Sequence, residues 1–297
     1  MRKWDEQDIQ EEIKRIEKFI REFVLDGERV VIPVSGGIDS DIVARLCTES
    51  LGKDRIRLFI VIQSDMEQKF IRNARALAAS LEVPLAEIHL ERMNLDLMRA
   101  LEDGESEPTL FRTDTLLDPA KAKCSVRSAV LSSYQDKGFL IAGTTNRTEK
   151  ELGFFLTFGD NLAHFKPIAH LYKSELKGFA KAIGTARNII EQEPSAGFWE
   201  GQTDAEDLAY WILNDGPIVF PREFTDAEAA RALEIKELLV QDKVDFVLEA
   251  YGNGRDAADI CTEAELPYEI VQGFIHIIEK AKILKNRSVM MEIGNEI

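Results

Sequence analysis

The chain has 297 residues, 45% of them hydrophobic, which is enough to bury one large core or two modest ones. Its formal net charge is −16 at pH 7, so most of its surface repels phosphate backbones and anionic lipids, and this argues against a nucleic-acid-binding or membrane-binding protein. Three widely spaced cysteines without a CxxC pair, and four histidines without ligand spacing, predict neither disulfide bonds nor a zinc site.

In the first half of the chain, segments with helical spacing alternate with short apolar runs. Residues 5–26 place isoleucine and phenylalanine side chains at spacings of three and four, which predicts a helix with one apolar face. A short, β-branched and apolar run predicts a buried strand at 29–34, and further apolar runs predict strands at 57–62, 85–90 and 138–143. Further helices are predicted after the first strand, around 66–80 and near 119–136. This alternation predicts an α/β fold with a parallel sheet covered by helices on both faces.

Two other parts of the chain have a different pattern. Residues 102–121 show no clear hydrophobic period and are predicted to be a loop, either a functional one or a disordered connection. Beyond about residue 216 the spacing is helical, and we expect a first domain at 1–215 and a helical C-terminal extension at 216–297. Helical runs lie near 225–251, 255–263 and 267–284. The last two are similar to a helix-turn-helix pair, which in so acidic a chain we interpret as packing rather than DNA binding.

The sequence SGGIDS, which begins at Ser35, connects the first predicted strand to the helix after it. Such a turn brings bare backbone amides and a helix N-terminus to one point, and this arrangement favours an anion. Gly36 and Gly37 allow a close approach of the ligand, and Ser35 and Ser40 add hydroxyl donors. The lysine of the usual nucleoside-triphosphate P-loop is absent, whereas Asp39 is a candidate magnesium ligand. On these residues alone, a plain glycine turn with an N-capping serine is an alternative.

Placed after a strand, the complete SGGIDS sequence resembles the pyrophosphate loop of the ATP pyrophosphatase group. The resemblance implies a Rossmann-like fold and cleavage of ATP between its α and β phosphates. It also implies that a substrate is adenylated, with Ser35, Gly36, Gly37, Asp39 and Ser40 contacting ATP.

Three later stretches narrow the resemblance to one family. They are GTTNRTEKELGFFLTFGD (143–160), PIAHLYKSEL (167–176) and EPSAGFWEGQTDAEDLA (193–209). Their order and spacing are similar to those of the ammonia-dependent NAD synthetases, which belong to the N-type ATP pyrophosphatase group. The resemblance implies an enzyme that adenylates the carboxylate of deamido-NAD and then transfers ammonia to it, forming NAD, AMP and pyrophosphate.

The resemblance also assigns roles to residues that would bind ATP. Asp39 and Glu149 would bind Mg²⁺, and Lys173 would bring a positive charge to the phosphates; these three are the candidate catalytic residues. Thr144 follows the fourth predicted strand, at the sheet edge where open α/β folds bind ligands. Ser195 belongs to a segment that closes over the nucleotide in the family. Both are expected to contact ATP, and ATP and Mg²⁺ are the expected cofactors.

The acceptor half departs from the family pattern. The residues that the resemblance assigns to the acceptor substrate are Arg127, Asn146, Asp160 and His164. His164 stands where the family has an aspartate, and Ser125 replaces an arginine of the helix in which Arg127 is kept. Further departures lie at Thr145, His170 and Ala205. Two explanations stay open: a divergent NAD synthetase, or a paralogue that makes an amide from a different carboxylate.

Two other functional classes are alternatives. A sulfur transferase of the same ATP pyrophosphatase group would carry a persulfide on a cysteine such as Cys124, but the chain lacks a CxxC pair and a basic RNA-binding face. A non-catalytic nucleotide-binding regulator would use the loop without the reaction. Pyrophosphate release from ATP in the presence of a carboxylate would distinguish an enzyme from such a binding protein.

The expected partners are small molecules and a second copy of the chain. No glutamine-hydrolysing domain is recognisable, so we expect free ammonia or ammonia from a separate subunit, together with a small-molecule carboxylate. The family builds its acceptor site across a two-fold interface, and the resemblance therefore implies a homodimer. No apolar run approaches the roughly 20 residues of a membrane span and no signal peptide is recognisable, so we expect a cytoplasmic protein without membrane or nucleic-acid partners.

Overall fold

The computed structural model of this protein describes residues 4–63, 66–107, 109–154, 161–197 and 199–286. Within these stretches four strands form a single sheet: β1 (Arg29–Pro33), β2 (Ile56–Ile62), β3 (Leu85–His89) and β4 (Phe139–Ile141). Their order is β3-β2-β1-β4, and every neighbouring pair is parallel. Val30 of β1 lies in register with Ile56 on one side and Leu140 on the other. The predicted strands and their parallel arrangement are confirmed.

Helices surround this sheet and continue after it. In the earlier part of the chain they are α1 (Glu6–Phe23), α2 (Ile38–Leu51), α3 (Gln68–Leu81), α4 (Met93–Gly104), α5 (Leu117–Asp136), α6 (Arg147–Leu152), α7 (Leu176–Ala182), α8 (Arg187–Ile190) and α9 (Asp204–Leu213). The later ones are α10 (Asp226–Leu238), α11 (Gln241–Gly252), α12 (Ala257–Ala264) and α13 (Tyr268–Asn286). The helical character of the C-terminal part is confirmed. Over the described stretches, no helix combines the length and the apolar character that crossing a membrane requires.

Helices cover both faces of the sheet. Successive side chains of each strand point to opposite faces, so each strand contributes to the core on both sides. On one face, Val30 and Leu58 pack in a core with residues of α1, α2, α3 and α7. On the other, Val31 and Phe59 pack against α5, and the ring of Tyr134 stacks on Phe59 with centroids 5.3 Å apart. Helices on both faces confirm the Rossmann-like α/β fold, and they leave the carboxyl ends of the strands as the open edge.

The loop predicted at 102–121 is shorter in the structure, where α4 ends at Gly104, α5 begins at Leu117, and the described residues 105–107 and 109–116 lie outside helices. The prediction misses the end of α4 because the buried side chains of this helix are Asn94 and Met98, which form no apolar stripe. It also misses the start of α5. Pro119 lies in the first turn of that helix, where a missing N–H costs no helical hydrogen bond.

The C-terminal helices enclose an apolar core that also contains side chains from earlier in the chain. Phe274 of α13 is completely buried, and its cluster includes Leu152 of α6 and Tyr172. Directly after α6, Gly153 has φ +67°, and a Cβ atom at this position would lie 2.9 Å from Ala281 Cβ of α13. Helix α13 therefore packs closely on the end of α6. The division of the chain into two domains at residue 216 stays a prediction.

Replacing Phe274 by alanine should lower the free energy of unfolding by about 3–5 kcal/mol, because the deletion leaves a cavity inside this core. The control is Tyr268→Ala on the same helix, at a side chain that is 60% exposed, where we expect a change within about 0.5 kcal/mol. Urea unfolding followed by circular dichroism measures both variants. Equal losses would contradict the placement of Phe274 in a packed core.

Candidate active site

The loop between β1 and α2 lies at the carboxyl edge of the sheet and is pressed against α3. Gly36 has φ +78°, and a Cβ atom here would lie 2.3 Å from the carbonyl oxygen of Phe70. A side chain at this position would therefore require the loop to move away from α3. Gly37 precedes α2 and forms no side-chain cap, so the first amides of that helix are available to an anion.

The two serines of this loop are bonded to the loop itself. The hydroxyl of Ser40, which is buried, donates to the Gly37 carbonyl oxygen at 3.1 Å and accepts from the Ser35 amide at 3.1 Å. Ser35 Oγ accepts from the Gly37 amide at 3.3 Å. Both hydroxyls thus help to shape the loop, and their contacts with ATP stay predictions.

Helix α3 supports the loop through a polar contact that sequence analysis does not identify. Asn73 Nδ2 donates to the Gly36 carbonyl oxygen at 3.0 Å and to Gln192 Oε1 at 3.1 Å. Asn188 Nδ2 donates to Asn73 Oδ1 at 2.9 Å. The signal in the sequence is an asparagine on the apolar face of α3, between the buried side chains of Ile71 and Ala74.

Asp39 brings three of the predicted motifs together. It lies in the first turn of α2, and its Oδ1 accepts a hydrogen bond from Asn146 Nδ2 at 2.8 Å. Its Oδ2 forms an ion pair with Lys173 Nζ. The lysine and aspartate side chains are only 11% and 16% exposed. Because residues 134 positions apart form this pair, the fold itself assembles the site.

Glu149 lies in the first turn of α6, beside the ion pair. It completes a capping box: its carboxylate accepts from the Asn146 amide at 3.3 Å, and its own amide donates to Asn146 Oδ1 at 2.9 Å. Burial and the charge of Asp39 raise the pKa of Glu149 to about 8, although the charge of Lys173 opposes the rise. At neutral pH this raised pKa favours the protonated form of Glu149, whereas a cation bound beside it would favour the carboxylate.

Asp204 is a third carboxylate near Lys173, and sequence analysis assigns it no role. It is the first residue of α9, directly after the N-capping Thr203 in the GQTD phrase. Burial raises the pKa of Asp204, and the charge of Lys173 opposes that rise. For Lys173, burial acts to lower the pKa, but the three surrounding carboxylates outweigh it and raise the pKa. Lys173 is consequently a stable positive charge within this site.

The segment before α9, which carries Ser195, lies against the ring of Phe70, the residue whose backbone contacts the phosphate loop. Ser195 Oγ accepts from the Gly197 amide at 3.0 Å. A Cβ atom at Gly197 would lie 3.5 Å from the ring of Phe70, whose backbone contacts Gly36. The amide of Asp204 donates to the Pro194 carbonyl oxygen at 3.0 Å, which fixes the start of α9 to this segment. Ser195 is therefore brought near the loop, as its predicted contact with ATP requires.

One cavity of about 1250 Å³ connects the phosphate loop with α5 and with the segment 217–224. The predicted ATP-binding residues that line it are Ser35, Gly37, Asp39, Thr144, Lys173 and Ser195, and the predicted magnesium ligand Glu149 lines it as well. Its volume exceeds the roughly 300–1,000 Å³ that is typical for a single ligand. The cavity is therefore larger than a site for one drug-sized ligand needs to be.

The residues assigned to the acceptor lie in different surroundings. Arg127 lines the cavity, and its Nη2 donates to Gln63 Oε1 at 3.2 Å. Asn146 is completely buried and uses its side chain on Asp39 and on the cap of α6. His164 Nδ1 accepts from the backbone amide of Ile141 in β4 at 2.9 Å. Asp160 lies outside the described residues. The acceptor roles of all four stay predictions.

Two other residues of the cavity wall lack an assignment from the sequence. Burial raises the pKa of Asp207 to about 7, while a hydrogen bond from Gln202 Nε2 at 2.7 Å opposes the rise. Lys121 of α5 donates to the carbonyl oxygens of Ile218 at 2.6 Å and Val219 at 3.0 Å, and burial lowers its pKa. Lys121 thus fastens the segment 217–224 to α5 at the edge of the cavity.

Gly36→Ala should lower the free energy of unfolding by more than about 1 kcal/mol, since a side chain at positive φ costs roughly 1–2 kcal/mol and the methyl group collides with Phe70. Gly37→Ala is the matched control. Gly37 has an ordinary φ of −98°, and its new methyl group meets only Ser35 Oγ, at 3.3 Å. Urea unfolding of both variants measures the difference, and a loss at Gly37 as large as that at Gly36 would contradict the loop geometry.

Comparison with known proteins agrees with the motifs. The model of the family described as NAD synthase matches residues 12–250. The NH(3)-dependent NAD(+) synthetase of Methanocaldococcus jannaschii is 31% identical over 280 residues, which are 93% of this chain and 94% of that protein. The NH(3)-dependent NAD(+) synthetase of Pyrococcus furiosus is 34% identical over 206 residues, which are 68% of this chain and 75% of the relative.

Two solved structures have the same fold. The NMN synthetase of Francisella tularensis superposes with a TM-score of 0.68 at 18% identity and covers 97% of this chain and 98% of its own. The NH3-dependent NAD synthetase of Campylobacter jejuni superposes with a TM-score of 0.66 at 22% identity and covers 97% and 99%. Identities this low establish the fold alone, whereas the family match and the sequence relatives establish the family. The predicted resemblance is confirmed, and this chain belongs to the NAD synthase family.

Proposed function

We propose that this protein is an ammonia-dependent NAD synthetase, which converts deamido-NAD, ATP and ammonia into NAD, AMP and pyrophosphate. The observation that carries the proposal is the junction of Asp39, Asn146, Glu149 and Lys173 beside the β1–α2 loop. It occurs in a chain whose sequence relatives are named NH(3)-dependent NAD(+) synthetases. The junction supplies what the chemistry needs, namely phosphate-binding amides, a buried cation and carboxylates.

In this proposal the triphosphate of ATP lies along the loop. The first amides of α2 and the close approach that Gly36 and Gly37 allow would receive the β and γ phosphates. The ammonium group of Lys173, which is held by Asp39, would exchange part of that ion pair for phosphate oxygens. Thr144 and Ser195 line the same cavity and would complete the nucleotide site.

Asp39 and Glu149 fit a magnesium ion. Mg²⁺ is usually held by one or two carboxylates together with substrate phosphates and water. Over the described part of the chain, no group of three or more His, Cys, Asp or Glu side chains is placed to hold a metal ion by itself, which agrees with a site that the phosphates complete. Burial, and after it the charge of Asp39, raises the pKa of Glu149, and a bound cation would counteract that rise. When bound, Mg²⁺ would offset the charge of the pyrophosphate that leaves.

The first step forms the acyl adenylate. A carboxylate oxygen of the nicotinate group attacks the α phosphorus of ATP, and the bond from that phosphorus to the oxygen bridging to the β phosphorus breaks. Pyrophosphate leaves with the electron pair of this bond. Lys173 and the loop amides stabilise the charge that develops on the leaving oxygens, because they are in place before the reaction begins.

The second step forms the amide. Ammonia attacks the carbonyl carbon of the adenylate, a proton leaves the nitrogen, and the tetrahedral intermediate expels AMP. Water would destroy the adenylate, so the segment that carries Ser195 and Gly197 has to keep it out of the cavity. Its contact with Phe70 places this segment beside the loop where ATP would bind.

Several finer features belong to the same proposal. The ammonia arrives free in solution or from a separate subunit, in line with relatives that are named NH(3)-dependent. The active form is a homodimer in the cytoplasm, as the family resemblance implies. The relatives named above do not favour a sulfur transferase or a non-catalytic binding protein. The F. tularensis structure is named an NMN synthetase, so the acid form of NMN is the acceptor to test beside deamido-NAD.

The proposal is tested by incubating the protein with ATP, Mg²⁺ and ammonium, and with either deamido-NAD or the acid form of NMN. We expect NAD, AMP and pyrophosphate in equal amounts from deamido-NAD. Chromatography of the nucleotides measures the products. Formation of ADP would contradict the reaction type, and faster turnover of the mononucleotide acid would contradict the proposed acceptor.

Lys173→Ala should lower kcat/KM by about 100-fold or more, because it removes the fixed positive charge that faces the leaving phosphates. The matched control is Lys177→Ala, at an exposed lysine four positions later in α7, with an expected change within about twofold. Pyrophosphate release measures the rate, and thermal melting checks that both variants are folded. Normal turnover of folded Lys173→Ala would remove this lysine from the mechanism.

A further inference from the structure

The C-terminal helices bring a buried carboxylate to the segments that carry the catalytic side chains. Asp245 of α11 is completely buried. Its Oδ1 accepts hydrogen bonds from the Thr148 hydroxyl at 2.5 Å and from Gln241 Nε2 at 3.1 Å. Its Oδ2 accepts from the backbone amide of Ser174 at 2.8 Å. These partners are uncharged, so hydrogen bonds rather than an ion pair offset the desolvation of the carboxylate.

Each of the two segments that Asp245 holds adjoins a residue of the active site. Thr148 directly precedes Glu149 in α6, and Ser174 directly follows Lys173. The Thr148 hydroxyl, which donates its proton to Asp245, also accepts from the Lys173 amide at 2.9 Å. Asp245 therefore holds the backbone amide of Ser174 directly and that of Lys173 through the Thr148 hydroxyl. Through Thr148 it also holds the start of α6.

The hydrogen-bond polarity at this point requires a carboxylate. The Thr148 hydroxyl accepts from Lys173, so its proton needs an acceptor elsewhere. The Ser174 amide needs a second acceptor. An ionised aspartate has acceptors on both oxygens, whereas asparagine would turn an N–H group towards one of these two donors. Burying a carboxylate costs free energy. An aspartate is nevertheless suited to this position because the Thr148 hydroxyl and the Ser174 amide both need an acceptor, and an asparagine side chain offers only one acceptor oxygen.

The backbone is held on both sides of Lys173, by Asp245 at Ser174 and by core packing at Tyr172. The preceding residue, Tyr172, is buried in the core of the C-terminal helices, and its ring lies 4.3 Å from the guanidinium carbon of Arg147. The Tyr172 amide donates to Glu175 at 2.7 Å. The Lys173 side chain leaves this anchored backbone and reaches Asp39 on the opposite side. A shift of about 1 Å at such a group can cost about 100-fold in rate.

We infer that Asp245 is a positioning residue of the active site: through Thr148 and Ser174 it holds the backbone at Lys173 and Glu149 in the arrangement that the reaction requires. This inference rests on the proposed function for its catalytic consequence. It gives the helical C-terminal part a direct role in the active site, because α11 supplies the carboxylate.

The first test compares Asp245→Asn with Val244→Ala, a neighbouring buried change on α11 that removes only apolar contacts. We expect Asp245→Asn to lower kcat by about 10-fold to 100-fold, through misplacement of Lys173, at a melting temperature no lower than that of Val244→Ala. We expect Val244→Ala to keep kcat within about twofold of the native value, since loss of stability alone does not move Lys173. Equal kcat values for Asp245→Asn and the native protein would overturn the inference.

A second pair of variants tests the same chain of hydrogen bonds from its other end. Thr148→Val removes the hydroxyl and keeps the shape, whereas Thr148→Ser keeps the hydroxyl. We expect Thr148→Val to lower kcat as Asp245→Asn does, the double variant to lose no more than either single one, and Thr148→Ser to retain most of the activity. Additive losses would show independent effects and overturn the inference. This pair also decides the question if Asp245→Asn does not fold.

The third measurement does not depend on the acceptor. Amide hydrogen exchange at Lys173 and Ser174 should accelerate by about tenfold or more in Asp245→Asn and remain near native rates in Val244→Ala, because Asp245 and Thr148 accept these two hydrogens. Unchanged exchange would overturn the positioning role. Native protein that makes no NAD, with accelerated exchange in Asp245→Asn, would overturn the proposed function and retain the structural support of Lys173 by Asp245.

Discussion

The ion pair between Lys173 and Asp39 is the interaction on which the candidate site depends. Burial disfavours the charge of the lysine, and the charge persists because three carboxylates surround it. Burial raises the pKa of Glu149, the charge of Asp39 adds to that rise, and the ammonium group of Lys173 opposes it. Asp39, Glu149, Lys173 and Asp204 come from four separate segments of the chain. The protein must therefore hold these segments in place against charges that would otherwise rearrange.

Two supports achieve this from opposite directions. Behind the phosphate loop, α3 contributes Asn73 and the backbone of Phe70, which fit against Gly36 without room for a side chain. Behind Lys173, the C-terminal helices contribute an apolar core that contains Tyr172 and a carboxylate, Asp245, that binds the adjacent backbone. The sheet between these supports contributes its open carboxyl edge, where parallel strands end together. Packing and hydrogen bonding thus leave the ionic groups few alternative arrangements.

The two halves of the cavity differ in how they relate to the sequence. The proposed ATP half is built from short contiguous motifs whose backbone geometry suits phosphate binding, so they are recognisable in a single chain. The proposed acceptor half adjoins side chains from α5 and the segment 217–224, with Lys121 joining the two. Single side chains at scattered positions leave no contiguous pattern. His164 is an example: the family resemblance assigns it to the acceptor substrate, whereas in the structure its side chain accepts a hydrogen bond from the backbone of β4.

The sequence by itself predicted the parallel α/β fold, which the structure confirms, and through the family resemblance it predicted the phosphate loop and the roles of Asp39, Glu149 and Lys173, because apolar period, glycine turns and ordered motifs are local properties of the chain. Only the tertiary structure decided which distant groups meet. Thr148 and Asp245 are 97 positions apart, and nothing in either neighbourhood marks their contact. Likewise, the sequence did not indicate that Asp204 and Asn73 lie at the site. Burial and hydrogen-bond partners arise when separate elements pack together, and the energetic role of a polar side chain follows from those partners rather than from its neighbours in sequence.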